Sequence, residues 1–198
     1  MPKVLTDSEI DDFRDRLCEA ATRIFAERGV DGFTMRELAS ALGVSAMTPY
    51  RYFKDKDAIL AAVRARAFDR FSEDLEAGFA APGDPVSRAN GAGRAYIRFA
   101  RENPHSYRLM FDIAVSSERD YPDLARATER ARAAMTRHIH PLIEAGLLTG
   151  NADIIGHVFW AMLHGALMLE FANKLPADCD LDRLLEVSFA ALSTGFSA

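Results

Sequence analysis

Apolar residues recur along the chain every three or four positions and hardly ever alternate, the period of helices with one buried face. Ile10, Phe13, Leu17, Ala20, Ala21, Ile24 and Phe25 form the first stripe. Thr6-x-x-Glu9 precedes it as a capping box, in which hydroxyl and carboxylate satisfy each other's free amides, and Gly29 is placed to end the helix. A second box, Thr34-x-x-Glu37, opens a short helix through Leu38, Ala39 and Leu42 that Gly43 stops. Ser45 can cap a third short helix, Ala46 to Phe53. Asp55 or Lys56 begins a long fourth, whose stripe of Ile59, Leu60, Val63, Ala67, Phe68, Phe71, Leu75 and Phe79 runs to Pro82-Gly83. Further helices are predicted at about 86–102, 104–115, 122–146, 152–173 and 181–195. Pro85, Pro104, Pro122 and Pro176 fall at breaks, whereas Pro141 lies inside its segment and should kink or divide it.

Composition points the same way. Ala and Leu supply 52 residues against 25 for Val, Ile and Thr, which lose rotamers in a helix, so an all-α fold is expected. A length of 198 residues allows one compact domain or a small one joined to a larger one. The net charge of −5 argues against a nucleic-acid partner only on average. Residues 34–66 hold six basic groups (Arg36, Arg51, Lys54, Lys56, Arg64, Arg66) against three acidic ones, a local excess on an otherwise acidic chain. Cys18 and Cys179 are far apart and form no C-x-x-C pair, so neither a disulfide framework nor a zinc ribbon is indicated. The first residues turn acidic before any apolar run, unlike a signal peptide. Residues 154–172 are long enough to span a bilayer but carry His157, His164 and Glu170 and lack basic flanks, the pattern of a buried helix. A cytoplasmic protein with no membrane partner is expected.

Two short helices separated by Leu42-Gly43-Val44-Ser45 have the spacing of a helix-turn-helix, whose second helix enters the major groove. The next residues, Ser45 through Lys56, crowd hydroxyls, aromatics and cations onto a segment too short for its own hydrophobic face. Groove-facing segments need such groups to reach phosphates and base edges. Over residues 8–66 the chain resembles the tetracycline-repressor (TetR) family of bacterial regulators. Ala20-Ala21, Phe25, Gly29, Thr34-Met35-Arg36-Glu37-Leu38-Ala39, Leu42-Gly43-Val44-Ser45, Tyr50-Arg51-Tyr52-Phe53, Lys56 and Leu60 all fall in family register. The resemblance implies that Thr34 and Arg36 meet phosphate and nearby bases, and that Ser45, Ala46, Met47, Thr48, Tyr50, Arg51 and Tyr52 belong to the recognition segment. It also implies that Lys56 contacts the DNA backbone. Pro49 departs from the apolar residue commoner there. Phe53 and Leu42 are expected to pack inside, and of Tyr50 and Tyr52, two residues apart, one should face DNA while the other packs.

The later part resembles the family's effector-binding and dimerisation region, and Trp160-x-x-x-His164-Gly165 resembles the subgroup named for a Trp-His-Gly signature. The implied division is a DNA-binding domain at 8–66 and an effector and dimerisation domain at 67–198. Phe99, Tyr107, Met110, Phe111, Trp160, His164 and Met168 are the candidate ligand-binding residues, an aromatic and Met cluster with a few polar groups that suits a small, largely apolar effector. The helices at about 152–173 and 181–195 carry more apolar surface than one core can cover and are expected to form a homodimer. Metal binding is not expected. His157 and His164 lie roughly 10 Å apart along a helix, and His138-x-His140 points to different faces. No cofactor motif and no nucleophile with a base partner is visible. The reading is a ligand-responsive DNA-binding regulator, a repressor acting on a palindromic operator as a homodimer. The alternative is a helical protein-interaction module.

Overall fold

The computed structural model of the chain describes residues 6–111 and 120–197. Among these residues the regular elements are helices: α1 (Asp7–Arg28), α2 (Met35–Ala41), α3 (Lys56–Ala80), α4 (Pro85–Glu102), α5 (Pro104–Met110), α6 (Pro122–Thr136), α7 (Ile139–Glu144), α8 (Ala152–Phe171) and α9 (Leu181–Gly195), with a 3-10 turn at Pro49–Arg51. Both capping boxes form. The Glu9 amide donates to Thr6 Oγ1 at 3.3 Å and the Glu37 amide to Thr34 Oγ1 at 3.2 Å, while each glutamate accepts from the amide of its threonine. Gly29 and Gly43 stop α1 and α2 at φ of 72° and 66°, where a β-carbon would be strained. Asp84, Asn151 and Asp180 cap α4, α8 and α9 through their side-chain oxygens, signals the pattern reading passes over. The segment expected at 122–146 is divided. Pro141 sits in the first turn of α7, where its missing amide has no intrahelical partner to lose. The segment expected at 104–115 is helical to Met110, and its part beyond 111 lies outside the described residues.

The described residues pack as two compact units. One gathers those up to Phe68 with those between His105 and Thr128, and the other gathers Asp69–Pro104 with those from Glu129 onward. In the first unit Leu17, Leu38, Ile59 and Leu60 are at most 1% exposed, Phe25 and Phe33 meet at 4.7 Å, and Leu109 of α5 joins the same core. Buried Arg64 of α3 donates to the Met110 carbonyl at 2.8 Å, satisfying the C-terminal end of α5.

In the second unit the later part of α3 meets α4 at two glycines. A β-carbon on Gly78 would stand 2.6 Å from the Gly91 carbonyl oxygen, so only glycine permits this approach. Phe71 packs edge-on against Tyr96 and Phe99, within the range for favourable aromatic pairs. Arg130 of α6 forks onto Glu76 of α3 at 2.7 and 3.2 Å and reaches Asp69 at 3.4 Å, and this guanidinium holds the Glu76 carboxyl below its ordinary range. Arg101 joins α4 to α8 through Glu170 at 2.8 Å. Helix α8 packs on α7 and α9, with Phe159 stacked on Phe189 at 5.8 Å. By length and composition alone α8 could cross a membrane, and a third of its apolar window is buried in this chain.

Candidate functional site

The first unit sets an exposed polar segment on a buried layer. Phe53 is 4% exposed and Pro49 is also buried, so both ends of the segment between them are pinned to the core. The helix expected from Ala46 to Phe53 is not an α-helix. Pro49 has no amide to give the Ser45 carbonyl, which instead accepts from Thr48 at 2.9 Å, and the Thr48 and Pro49 carbonyls accept from Arg51 and Tyr52 at 3.1 and 3.0 Å. These three-residue bonds wind the segment as a 3-10 turn, tighter than an α-helix. Thr48 keeps helical angles although proline follows it. Ser45, rather than capping a helix, shares a hydroxyl bond with Thr48 at 2.9 Å.

This winding turns the side chains apart. Met47 is 68% and Tyr50 48% exposed, and Ser45, Ala46 and Arg51 are exposed beside them. Thr48 is half-buried, and Tyr52 packs its ring 4.8 Å from that of Phe13. Tyr50 is therefore the outward tyrosine. Thr34 and Arg36 are exposed at the start of α2, although the Thr34 hydroxyl is engaged with Glu37 in the cap. Lys56 opens α3 half-buried, next to Asp55, which accepts the Ala58 amide at 2.9 Å. Two of the six basic residues counted in this region leave the patch: Arg64 is buried, and Arg66 pairs with Asp15 at 2.8 Å. Arg36, Arg51, Lys54 and Lys56 carry its outward positive charge.

One positioning group was not legible in the sequence. Arg14 of α1 donates to the Tyr52 carbonyl at 3.3 Å and lies 4.7 Å over the Phe53 ring, clamping the far end of the turn. It sits among aspartates on the polar side of its stripe, where the pattern signals only a solvated face. The exposed set of hydroxyl, phenol, guanidinium and ammonium groups on a rigid support suits phosphate oxygens and base edges.

The second unit contains a cavity of about 440 Å³, with walls that include Leu75, Tyr96, Leu142, Phe159 and Trp160. Asn90, Arg94 and Ser193 give it an exposed polar edge. Of the candidate ligand-binding residues, Trp160 lines this cavity. Phe99 is instead core beside Phe71, and His164 and Met168 are not among the lining residues. Tyr107, Met110 and Phe111 belong to the first unit, where Tyr107 is fully buried and Phe111 packs edge-on against Phe68. Helical spacing cannot tell an apolar residue facing a core from one facing an opening. His138, set aside in the sequence as half of a failed chelate, lines the cavity, and burial pushes its pKa down to about 4. Burial also lowers the pKa of His164, and His157 Nδ1 lies 2.6 Å from the Asp153 carbonyl oxygen.

Comparison with known proteins bears on both units. The family model for bacterial regulatory proteins of the tetR family matches residues 17–63, and that for the tetracyclin repressor-like C-terminal domain matches residues 90–192. The HTH-type transcriptional activator FasR of Mycolicibacterium smegmatis is 28% identical over 172 residues, covering 86% of this chain and 77% of that protein. A structure of a protein with unknown function from Rhodococcus sp. RHA1 has a TM-score of 0.79 at 25% identity, covering 93% of this chain and 95% of that one. The TetR family transcriptional regulator PfmR from Thermus thermophilus shares the fold, with a TM-score of 0.68 at 22% identity and coverage of 90% and 95%. With one model covering its turn and the other more than half its length, the chain belongs to the TetR family of DNA-binding transcriptional regulators.

Proposed function

We propose that the chain is a cytoplasmic, ligand-responsive repressor that binds a palindromic operator as a homodimer and releases it when a small, largely apolar effector binds. Residues 8–66 act as the DNA-binding domain and 67–198 as the effector and dimerisation domain, in the subgroup marked by Trp160, His164 and Gly165. The observation that carries the reading is the pinned turn at Ser45–Arg51, with Tyr50 and Met47 outward and Arg36, Arg51, Lys54 and Lys56 around it. The turn enters the major groove, and Thr34, Arg36 and Lys56 hold the backbone on either side.

Dimerisation follows from the uncovered side of α8 and α9. Ile154, Ala161, Gly165, Met168 and Leu169 form an exposed stripe on α8, and Val187 and Ala190 are exposed on α9. Two copies of this helix pair make a self-complementary four-helix contact. The contact fixes the distance between two recognition turns, which must match major grooves about 34 Å apart. An effector in the cavity switches that distance only by binding one spacing more tightly than the other. Repression follows where the operator overlaps a promoter. FasR is named an activator, so a reporter assay must read the sign as well as the size of the response.

The test is a salt titration of binding to the intergenic DNA beside the chain's own gene. A specific, salt-dependent complex on a palindromic site is expected. Failure on every neighbouring fragment would remove the DNA-binding role and favour a helical interaction module.

A further inference from the structure

We propose that the cavity of the second unit takes a largely apolar molecule ending in a single carboxylate, its body against Phe159 and Trp160 and its head held by Arg94 and Arg98 at the mouth. The inference deepens the effector reading and rests on it. Two concave surfaces meet on α4. Arg94 and Ile97 belong to the wall of the apolar cavity and also to an open depression of about 390 Å³ beside it, whose other walls are Arg98, Arg101, Glu102 and Asp182. Arg101 lies 3.5 Å from Asp182 at the start of α9, while Asn90 and Ser193, further back on α4 and further along α9, share the cavity edge. The two helices therefore pass in opposite directions, with the apolar opening toward one end of the furrow between them and the cationic depression toward the other.

Charge selects the head group. Of the four arginines of α4, Arg88 donates to the Phe79 carbonyl at 3.0 Å and lies over that ring, and Arg101 pairs with Glu170 at 2.8 Å. Arg94 and Arg98 are exposed one turn apart on one face, and neither pairs with a described residue. In a chain of net charge −5, an unpaired cationic pair beside an apolar opening attracts an acid and repels a base. The depression sets three guanidiniums against the carboxylates of Glu102 and Asp182, an excess of one, which suits a monoanion better than a dianion. A carboxylate is too costly to bury among Leu142, Phe159 and Trp160, so it stays at the edge while the body goes in. The way in is clear. Gly93, in the middle of α4 beside Arg94, lines the cavity, and a β-carbon there would meet nothing within 4 Å, although alanine would favour the helix more.

The experiment uses the whole chain and no DNA, so its failure is separable from failure of the operator reading. Decanoate, 1-decanol and decyltrimethylammonium, each held below the concentration at which it self-associates, are titrated by calorimetry and by fluorescence of Trp160, the single tryptophan. Decanoate is expected to bind at least tenfold more tightly than the alcohol, and the ammonium compound most weakly. Arg94→Gln and Arg98→Gln should each weaken decanoate about threefold, and the double variant about tenfold, as exposed charge contacts do, with no change for the alcohol. Raising the salt should erode the same preference. Gly93→Leu fills the opening and should weaken decanoate and alcohol alike, while the protein melts no lower than the parent. Alcohol binding as tightly as decanoate would overturn the carboxylate and leave an apolar effector standing. Unaltered decanoate affinity in the double variant would overturn the assignment to Arg94 and Arg98. Failure of all three compounds to bind would overturn the proposal together with the effector reading of the cavity.

Discussion

The two units use their apolar residues in opposite ways. Among the described residues the first buries them almost completely: Leu17, Leu38, Ile59 and Phe53 close a core around α1, α2 and the start of α3, and what remains outside is polar, cationic or the small turn itself. The second leaves apolar surface open in two places, inward around the 440 Å³ cavity and outward along Ile154, Met168, Leu169 and Val187. A finished core holds side chains in fixed positions, which suits reading a rigid duplex. An unfinished one has surface left for a ligand and for a second copy, each of which stabilises whichever arrangement it fits best.

The largest effect should come from opening the finished core. Phe53→Ala removes the ring that Arg14 covers and should destabilise the first unit by about 3–5 kcal/mol, read as a lowered denaturant midpoint with loss of operator binding. A cost under about 1 kcal/mol would mean that the turn is not pinned as described. Next is the outer surface of the second unit. Leu169→Glu puts a charge on each side of the proposed two-fold contact, and a cost of about 2–4 kcal/mol should leave a folded monomer at micromolar concentration in light scattering. A dimer with unchanged affinity would move the interface elsewhere.

Much of the fold was legible because its signals are local. Thr6 with Glu9, Thr34 with Glu37, Gly29, Gly43 and Pro141 each act within a few residues, and each behaves as its position implies. The exposed turn after Gly43 was legible for the same reason, except that Pro49 tightens its winding. Composition alone makes Arg64 a surface cation, because only the packing of the distant α5 gives it the Met110 carbonyl. The cavity was the least legible. Phe99 and Trp160 both look like pocket or core in one dimension, and which of them meets the opening depends on how distant helices pack. His138 carries no periodic signal, being one residue at a break between helices.

The inner surface makes a pH prediction. Because burial holds the folded His138 pKa near 4 against an ordinary 6.5, the unfolded chain takes up a proton first as pH falls. Stability associated with the neutral imidazole is fully present above about pH 6.5 and declines toward pH 4, by about 3 kcal/mol at most. Carboxylates titrate over the same range, so the measurement is the difference between parent and His138→Leu in urea midpoints at about pH 7 and about pH 4.5. The variant should gain relative to the parent at the lower pH. No change in that difference would mean that water reaches the imidazole freely.

The smallest effect tests the division of labour on the first unit's surface. Tyr50 stands on the turn and Lys56 beside it, at the start of α3, so removing them should fail differently. Tyr50→Ala takes a group from the turn proposed to face the groove and should lower affinity for the operator by about tenfold while leaving nonspecific binding nearly intact, as expected for a contact near base edges worth about 1–3 kcal/mol. Lys56→Ala removes one charge from the proposed backbone contacts. It should weaken binding to all sequences alike and reduce the slope of log K against log salt by about one. Neither should alter the melting temperature, since Tyr50 is exposed and Lys56 forms no ion pair with a described residue. If Tyr50→Ala instead changed the salt slope and left operator preference untouched, the turn would be lying along the phosphates rather than in the groove. The rigid support that Arg14 and Phe53 provide would then serve positioning alone.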